Sequence, residues 1–469
     1  MFPRGLLSKA AHKARRETLT QRVQRAVLLM GNGELPRNLP MSPLPFRQDS
    51  NLLYFTGCGV PNAAALLTDG RCELFLPLPA EDDALWHGVL PGAAALADHF
   101  GVDAVRPAHE LKAACAKHSE LATLAVADPN RNALAAQLAN TTLQFGLAHG
   151  DPDLVESCID LRRIKSDEEI QAHRQAAVIT TKAHCASMGA TRVGGHEREI
   201  AALFDAVLAA NGCVPGYGSI VTVRGEILHN PDYINPLRDG DLLLLDGGAE
   251  LDSGYGCDVT RTWPVNGRFN AQQKSAYEAV LESQKSAIAM CVPNTRYRDI
   301  HIEAARVLSR WLVDEGFFSC SADEVLETGA HALFFPHGVG HFLGLDVHDL
   351  EQFGDLPAYP ANRQRDTQFG LSYLRLDMDL EPGHLVTIEP GFYVVDAILD
   401  DPKMRELHRS RLVVDAIEKW RGFGGIRIED DILVTPTTPE NLTGHIPREV
   451  QAVEEATGAS QAAAERFFT

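Results

Sequence analysis

A chain of 469 residues is too long for one ordinary hydrophobic core, so two domains are expected. Hydrophobic residues at 45% and charged residues at 23% fit a folded, soluble protein. The formal net charge of -20 weighs against nucleic acid or an anionic membrane as a main partner, and no apolar run approaches the roughly 18–20 residues of a membrane span.

The basic start (Arg4, Lys9, Lys13, Arg15, Arg16) leads into no signal-like apolar stretch, and reads as a first helix carrying Leu6, Leu7, Leu19 and Val23. Short apolar runs over 26–32, 64–70 and 72–79 then read as strands, and segments around 108–118 and 131–140 as Ala-rich helices. That alternation predicts an α/β domain with a central sheet over 1–158. Asp151-Pro152 reads as a break in the chain. Ser166 with Glu169 forms a capping box opening a helix through Ile179. Beyond it, 241–248 and 257–265 read as strands, as do 385–395 and 424–436. A second domain over 159–469 is therefore expected to be α+β with antiparallel strands, and to carry the chemistry. Nine cysteines without a C-x-x-C pair fit reduced thiols and a cytoplasmic location.

Five residues stand out because apolar runs or glycines surround them. Asp246 ends the run LLLL and Asp258 follows twelve positions later. His341 lies in PHGVGHFLGLDVHD, Glu389 interrupts VTIEPG, and Glu429 lies in IRIEDD. Singly, each has a plain structural role available, as a turn residue or a solvated strand position. As a set they do not, because burying unpaired carboxylates costs several kcal/mol per ion, whereas a shared divalent cation offsets that cost. Four carboxylates with one imidazole suit two Mn²⁺ ions, with Co²⁺ or Zn²⁺ as alternatives, better than a sulfur-rich structural site. Two such ions about 3.5–4 Å apart can bridge one water and lower its pKa to about 7, giving a hydroxide nucleophile without Ser or Cys. His337 and His341 are spaced like the ends of a zinc-binding helix, but Gly338 and Gly340 argue against regular helix there. His348 and His229 are further candidates.

The ordered runs LDGGAELDSGYGCDVTRTWPVNG, FPHGVGHFLGLDVHD, TIEPGFY and GGIRIEDDILVT resemble the pita-bread metallopeptidases, the group of methionine aminopeptidase, aminopeptidase P and prolidase. PFRQDSNLLYFTG and DALWHG resemble the additional N-terminal domain of the proline-specific branch. The resemblance implies Asp258, His341, Glu389 and Glu429 on one metal, and Asp246, Asp258 and Glu429 on the other. It implies Glu389 as proton shuttle to the leaving proline nitrogen, His348 and His229 at the scissile carbonyl, and Arg427 orienting Glu429. It further implies an Xaa-Pro dipeptidase (prolidase) in which His337 and Arg375 hold the free carboxylate of the dipeptide, working as a homodimer. An aminopeptidase P acting on longer Xaa-Pro peptides is the alternative. A metal-free or non-catalytic relative of the same shell is disfavoured by the five retained ligands. One departure stands out: the aspartates are separated by one residue more than the family pattern has, implying a bulge or longer turn.

Overall fold

The computed structural model describes residues 7–39, 41–78, 85–86, 88–89, 91–147 and 150–459. Arg4 and Leu6 of the basic start, Pro79, and Asp83, Ala84 and His87 of DALWHG lie outside them.

The first half is a five-stranded mixed sheet with the order 104–107, 71–76, 64–68, 26–30, 121–123. Ala26–Met30 is buried along its whole length, and its side chains alternate between faces. Val27 and Leu29 join Leu19, Leu52 and Phe55 on one face, while Leu28 and Met30 join Phe75, Leu111 and Ala135 on the other. The α/β expectation holds.

The first helix, Lys9–Arg22, differs from expectation in where its charges go. Arg15 and Arg16 are buried: Arg15 pairs with Glu169 at 3.1 Å, and Arg16 donates to the Phe55 carbonyl at 2.8 Å. Asp151-Pro152 does not break the chain either. Asp151 caps the helix Pro152–Arg163 and Pro152 takes its first turn, where a missing N–H costs nothing. That helix runs across position 158 and buries Leu154, Val155, Cys158 and Ile159 in the core of the first half.

The Ser166–Glu169 capping box is present and opens a longer helix, Asp167–Ala190. In the second half every strand pair is antiparallel: 242–246 lies between 260–264 and 220–222, and 385–388 pairs with 430–433. The two long apolar runs expected as single strands are each split. The first divides into Leu385–Ile388 and Gly391–Tyr393, and the second into Gly425–Arg427 and Asp430–Leu433. The breaks fall at Glu389-Pro390 and at Ile428-Glu429, so two candidate ligands sit where the ladders change partner.

The longer spacing between Asp246 and Asp258 is a turn. Leu251 and Tyr255 close it with a 3.0 Å hydrogen bond, and Gly254 takes a φ of +87°. Gly248 is required at its base, since a Cβ there would lie 1.9 Å from the Cys257 carbonyl oxygen.

Two buried histidines of the helix Asp167–Ala190 secure this hairpin. His173 bonds to the Gly256 carbonyl at 2.7 Å and His184 to the Gly247 carbonyl at 3.0 Å. Burial pushes His173 down to about 4 and His184 to about 3. The folded chain therefore keeps both neutral, while the unfolded chain takes up protons below about 6.5. Stability is expected to fall as pH drops from 7 to 5, by about 2 kcal/mol per histidine. Urea midpoints at the two pH values measure this, and His184→Asn should flatten the fall; an equal fall in that variant would refute the assignment.

Candidate metal centre

Asp246 ends its strand beside Thr260, its register partner on the neighbouring strand, and Asp258 precedes Thr260 by two positions. Glu429 is drawn to the same place by its N–H, which donates to the Thr260 carbonyl at 3.0 Å, and by the Thr260 hydroxyl, which donates to its carboxylate at 2.7 Å. From the other side come His341 and Glu389. The segment His337–His341 is not helical, as its glycines foretold; Gly340 runs so close to Thr387 that a Cβ would lie 2.2 Å from the Thr387 carbonyl. His341 Nδ1 donates to the Phe342 carbonyl at 2.9 Å, and its Nε2 faces Asp258 at 3.3 Å and Glu389 at 3.8 Å.

All five residues converge. Ligand atoms of Asp246, Asp258 and Glu429 lie within 4.8 Å of one another, and so do those of His341, Glu389 and Glu429. Asp258, His341 and His348 form a third such group, the two imidazoles stacking 3.9 Å apart.

The charge balance tests whether cations fit. Among the described residues only one fixed cation, Arg427, is hydrogen-bonded to any of the four carboxylates. Burial pushes the Asp246 and Glu429 carboxyls up, and takes Glu389 up to about 8. Asp258 goes the other way: burial opposes ionisation, but the hydrogen bond and charge of His341 outweigh it. Such an oxygen-rich, under-neutralised cluster fits divalent cations.

Arg427 departs from its expected role. It donates to Asp246 at 2.6 Å, to the Tyr393 hydroxyl at 3.1 Å and to the Thr260 hydroxyl at 3.0 Å. Its hydrogen-bond route to Glu429 runs through Thr260, although its charge is also felt there. The expectation relied on positions 427 and 429 sharing one strand face, and the strand breaks between them. His337 accepts from the Tyr393 hydroxyl at 2.9 Å, its Nδ1 being engaged with the Gly338 carbonyl at 2.8 Å, and so sits at the end of the chain Arg427–Tyr393–His337. Tyr217 was not anticipated. Its hydroxyl contacts both Asp246 and Asp258, and only its place between two glycines ahead of an apolar strand marks it in the sequence.

The cluster opens into a cavity of about 940 Å³ lined also by His229, His337, His348 and Arg375. Arg375, just after the short turn Leu371–Tyr373, donates to Glu351 at 2.8 Å.

From the first half, Arg47 of PFRQDS bonds to Glu250 at 3.0 Å and to the Leu345 carbonyl at 2.6 Å, and Ser50 donates to Asp346 at 2.6 Å. Arg162 bridges Asn51, Asp346 and Asp349, and Lys165 donates to Asp349 at 2.9 Å. These bonds hold the loop that ends in His348.

A fold of this kind, with a buried carboxylate-rich centre, is matched by the model of metallopeptidase family M24 over residues 171–436, and the chain belongs to that family. Residues 12–125 match the aminopeptidase P N-terminal domain. The chain is 30% identical over 464 residues to the human Xaa-Pro dipeptidase, covering 94% of this chain and 90% of that one. It is 33% identical over 426 residues to a probable Xaa-Pro aminopeptidase of Verticillium alfalfae, 89% of each. Among solved structures, aminopeptidase PepP of Pseudomonas aeruginosa superposes with a TM-score of 0.81 at 28% identity, covering 98% of this chain and 99% of the other. Aminopeptidase P from E. coli with the inhibitor Pro-Leu gives 0.80 at 29%, covering 98% and 100%. The pita-bread fold with an added N-terminal domain is thereby established.

Proposed function

We propose that this chain hydrolyses the peptide bond preceding proline, and that its preferred substrate is an Xaa-Pro dipeptide. The observation that carries the dipeptide reading is Arg375, a guanidinium lining the same cavity as the ligand cluster. A carboxylate lies directly after proline only in a dipeptide, and a guanidinium fork suits it. The volume falls within the range of small-ligand sites.

Asp246, Asp258 and Glu429 would hold one divalent ion, and Asp258, His341, Glu389 and Glu429 the other; manganese is our choice, on the oxygen-rich donor set. When bound, such a pair supplies Lewis acidity, acidifying a water and polarising the scissile carbonyl. Glu389 is the most open of the four carboxylates, with 18% of its side chain exposed. It is the one placed to take a proton from water and return it to the proline nitrogen. His348, stacked on His341, and His229 on the cavity wall would flank the carbonyl oxygen as charge develops there. Arg427 and Tyr217 fix the Asp246 carboxylate from two sides. Nine free thiols support a reducing, cytoplasmic setting, and a homodimer follows from the family resemblance.

The second reading, release of the first residue from longer peptides, is favoured by one contact: Arg375 already has a carboxylate partner in Glu351. Metal-stripped protein reconstituted with Mn²⁺ and assayed on Gly-Pro beside Gly-Pro-Gly separates the two. Arg375→Ala is expected to raise KM for Gly-Pro about tenfold with little change in kcat, since it removes a charged contact remote from the reacting carbonyl. An unchanged KM, or wild-type preference for the tripeptide, would turn the assignment to an aminopeptidase.

A further inference from the structure

The same contact carries a further consequence for specificity. Glu351 opens the short turn Glu351–Phe353 and reaches two cavity residues at once. One of its oxygens accepts from Arg375 Nη1 at 2.8 Å and the other from His348 Nδ1 at 3.0 Å. Leu350 before it is held at a φ of +69°, a conformation leucine adopts at a cost.

The other arginines of the cavity wall are engaged more fully. Arg427 is bound to Asp246, Tyr393 and Thr260. Arg365 is bound to Asp355 and to the carbonyls of Ser372 and Leu374. Among the described residues Arg375 alone of the three has guanidinium nitrogens with no hydrogen-bond partner, its Nε and Nη2. It stands in the open, with 41% of its side chain exposed against 37% for Glu351. An ion pair that exposed contributes little and exchanges readily for another.

We propose that Glu351 is a specificity-determining residue: a resident carboxylate that competes with a ligand's carboxylate for Arg375 and so sets how strongly a dipeptide is preferred to a longer chain. This rests on the assignment of Arg375 made above. An incoming carboxylate either displaces Glu351 from Nη1 or occupies the free Nε/Nη2 edge beside it. The first route gives up an existing pair, and the second sets two like charges on one guanidinium. Both leave less net attraction than a bare arginine would offer. A longer peptide brings no carboxylate to that place, leaves the pair intact and gives up nothing.

The test is equilibrium binding to the Mn²⁺-loaded protein. L-proline and L-prolinamide, which differ in carboxylate against amide and contain no bond preceding a proline, are titrated calorimetrically into wild type and Glu351→Gln. The ratio of the two dissociation constants is expected to move about fivefold in favour of proline, the size of one exposed ion pair. Glu351→Ala should move it in the same direction, and in an Arg375→Ala background neither change should move it. A ratio that stays put, or moves toward prolinamide, would mean that Glu351 holds Arg375 in place, and would overturn the proposal. If wild type fails to cleave Gly-Pro while the ratio still shifts, the reaction assigned above fails and the competition stands.

Discussion

Asp258→Ala is expected to abolish hydrolysis of Gly-Pro without unfolding the protein. Asp258 belongs to the group with Asp246 and Glu429 and faces His341 Nε2 at 3.3 Å, so its loss removes a shared ligand from both halves of the centre. Residues that merely support metal ligands cost about 10–100-fold when changed, and a shared ligand should cost more. The effect on stability runs the other way. Asp258 is one of the charges that disfavour ionisation of Asp246, Glu389 and Glu429. Removing it relieves that repulsion while giving up the Asp258–His341 contact, so the metal-free variant should melt close to metal-free wild type. Asp258→Asn keeps the shape and guards against a packing artefact. The checks are turnover, bound metal per chain and the melting temperature with and without Mn²⁺; retained Mn²⁺-dependent turnover would refute the ligand assignment.

Asp349→Ala should produce the largest loss of stability, about 3–5 kcal/mol, because it takes from buried Lys165 its carboxylate partner and from buried Arg162 one of its two. Asp349, Arg162 and Lys165 each have side chains only 1% exposed. Burial alone would push the Asp349 carboxyl up, but Lys165 and Arg162 outweigh it and hold it down at about 2. A depressed carboxyl contributes its stability above the unfolded value of about 3.9 and loses it as pH falls toward 2. The loss on mutation should therefore be complete at neutral pH and shrink in acid. Activity should fall as well, since the carboxylate ties down the backbone that immediately follows His348 through Arg162 and Lys165. Urea unfolding at pH 7 and pH 3 measures the first effect; equal losses at both would show that the carboxylate charge is not its origin.

Much of the centre was legible in the sequence because its ligands break a local rule. Asp246 at the end of LLLL and Glu389 inside VTIEPG are ionisable groups where apolar burial is the norm, and such groups need a partner. The order of the runs then gave the family. What stayed hidden depends on partners far away in the chain. Thr260, Tyr393 and Tyr217 are neutral hydroxyls that look like ordinary strand and loop residues until Glu429, Arg427 and the two aspartates arrive beside them. The split of the long runs was hidden by their continuous hydrophobicity, since a strand that changes partner stays buried throughout. Arg427 followed from that error. Asp151-Pro152 was misread because the same dipeptide serves a break and a helix start, and the capping bond from Leu154 decides which. The buried Arg15 and Arg16 show the same limit: a basic stretch gives no sign of whether water or a carboxylate will meet it.

The bonds from Arg47, Ser50 and Arg162 to the loop before His348 have a bearing on how such enzymes can be recombined. The loop's supports are contributed by residues nearly 200 to 300 positions earlier, made first as the chain is synthesised and waiting when the loop arrives. A chimaera that borrows its amino-terminal half from a relative inherits the donor's grip on this loop along with its sheet. Exchange of the halves is thus neutral only between parents whose charges meet at this seam, and elsewhere the misfit is felt at the imidazole.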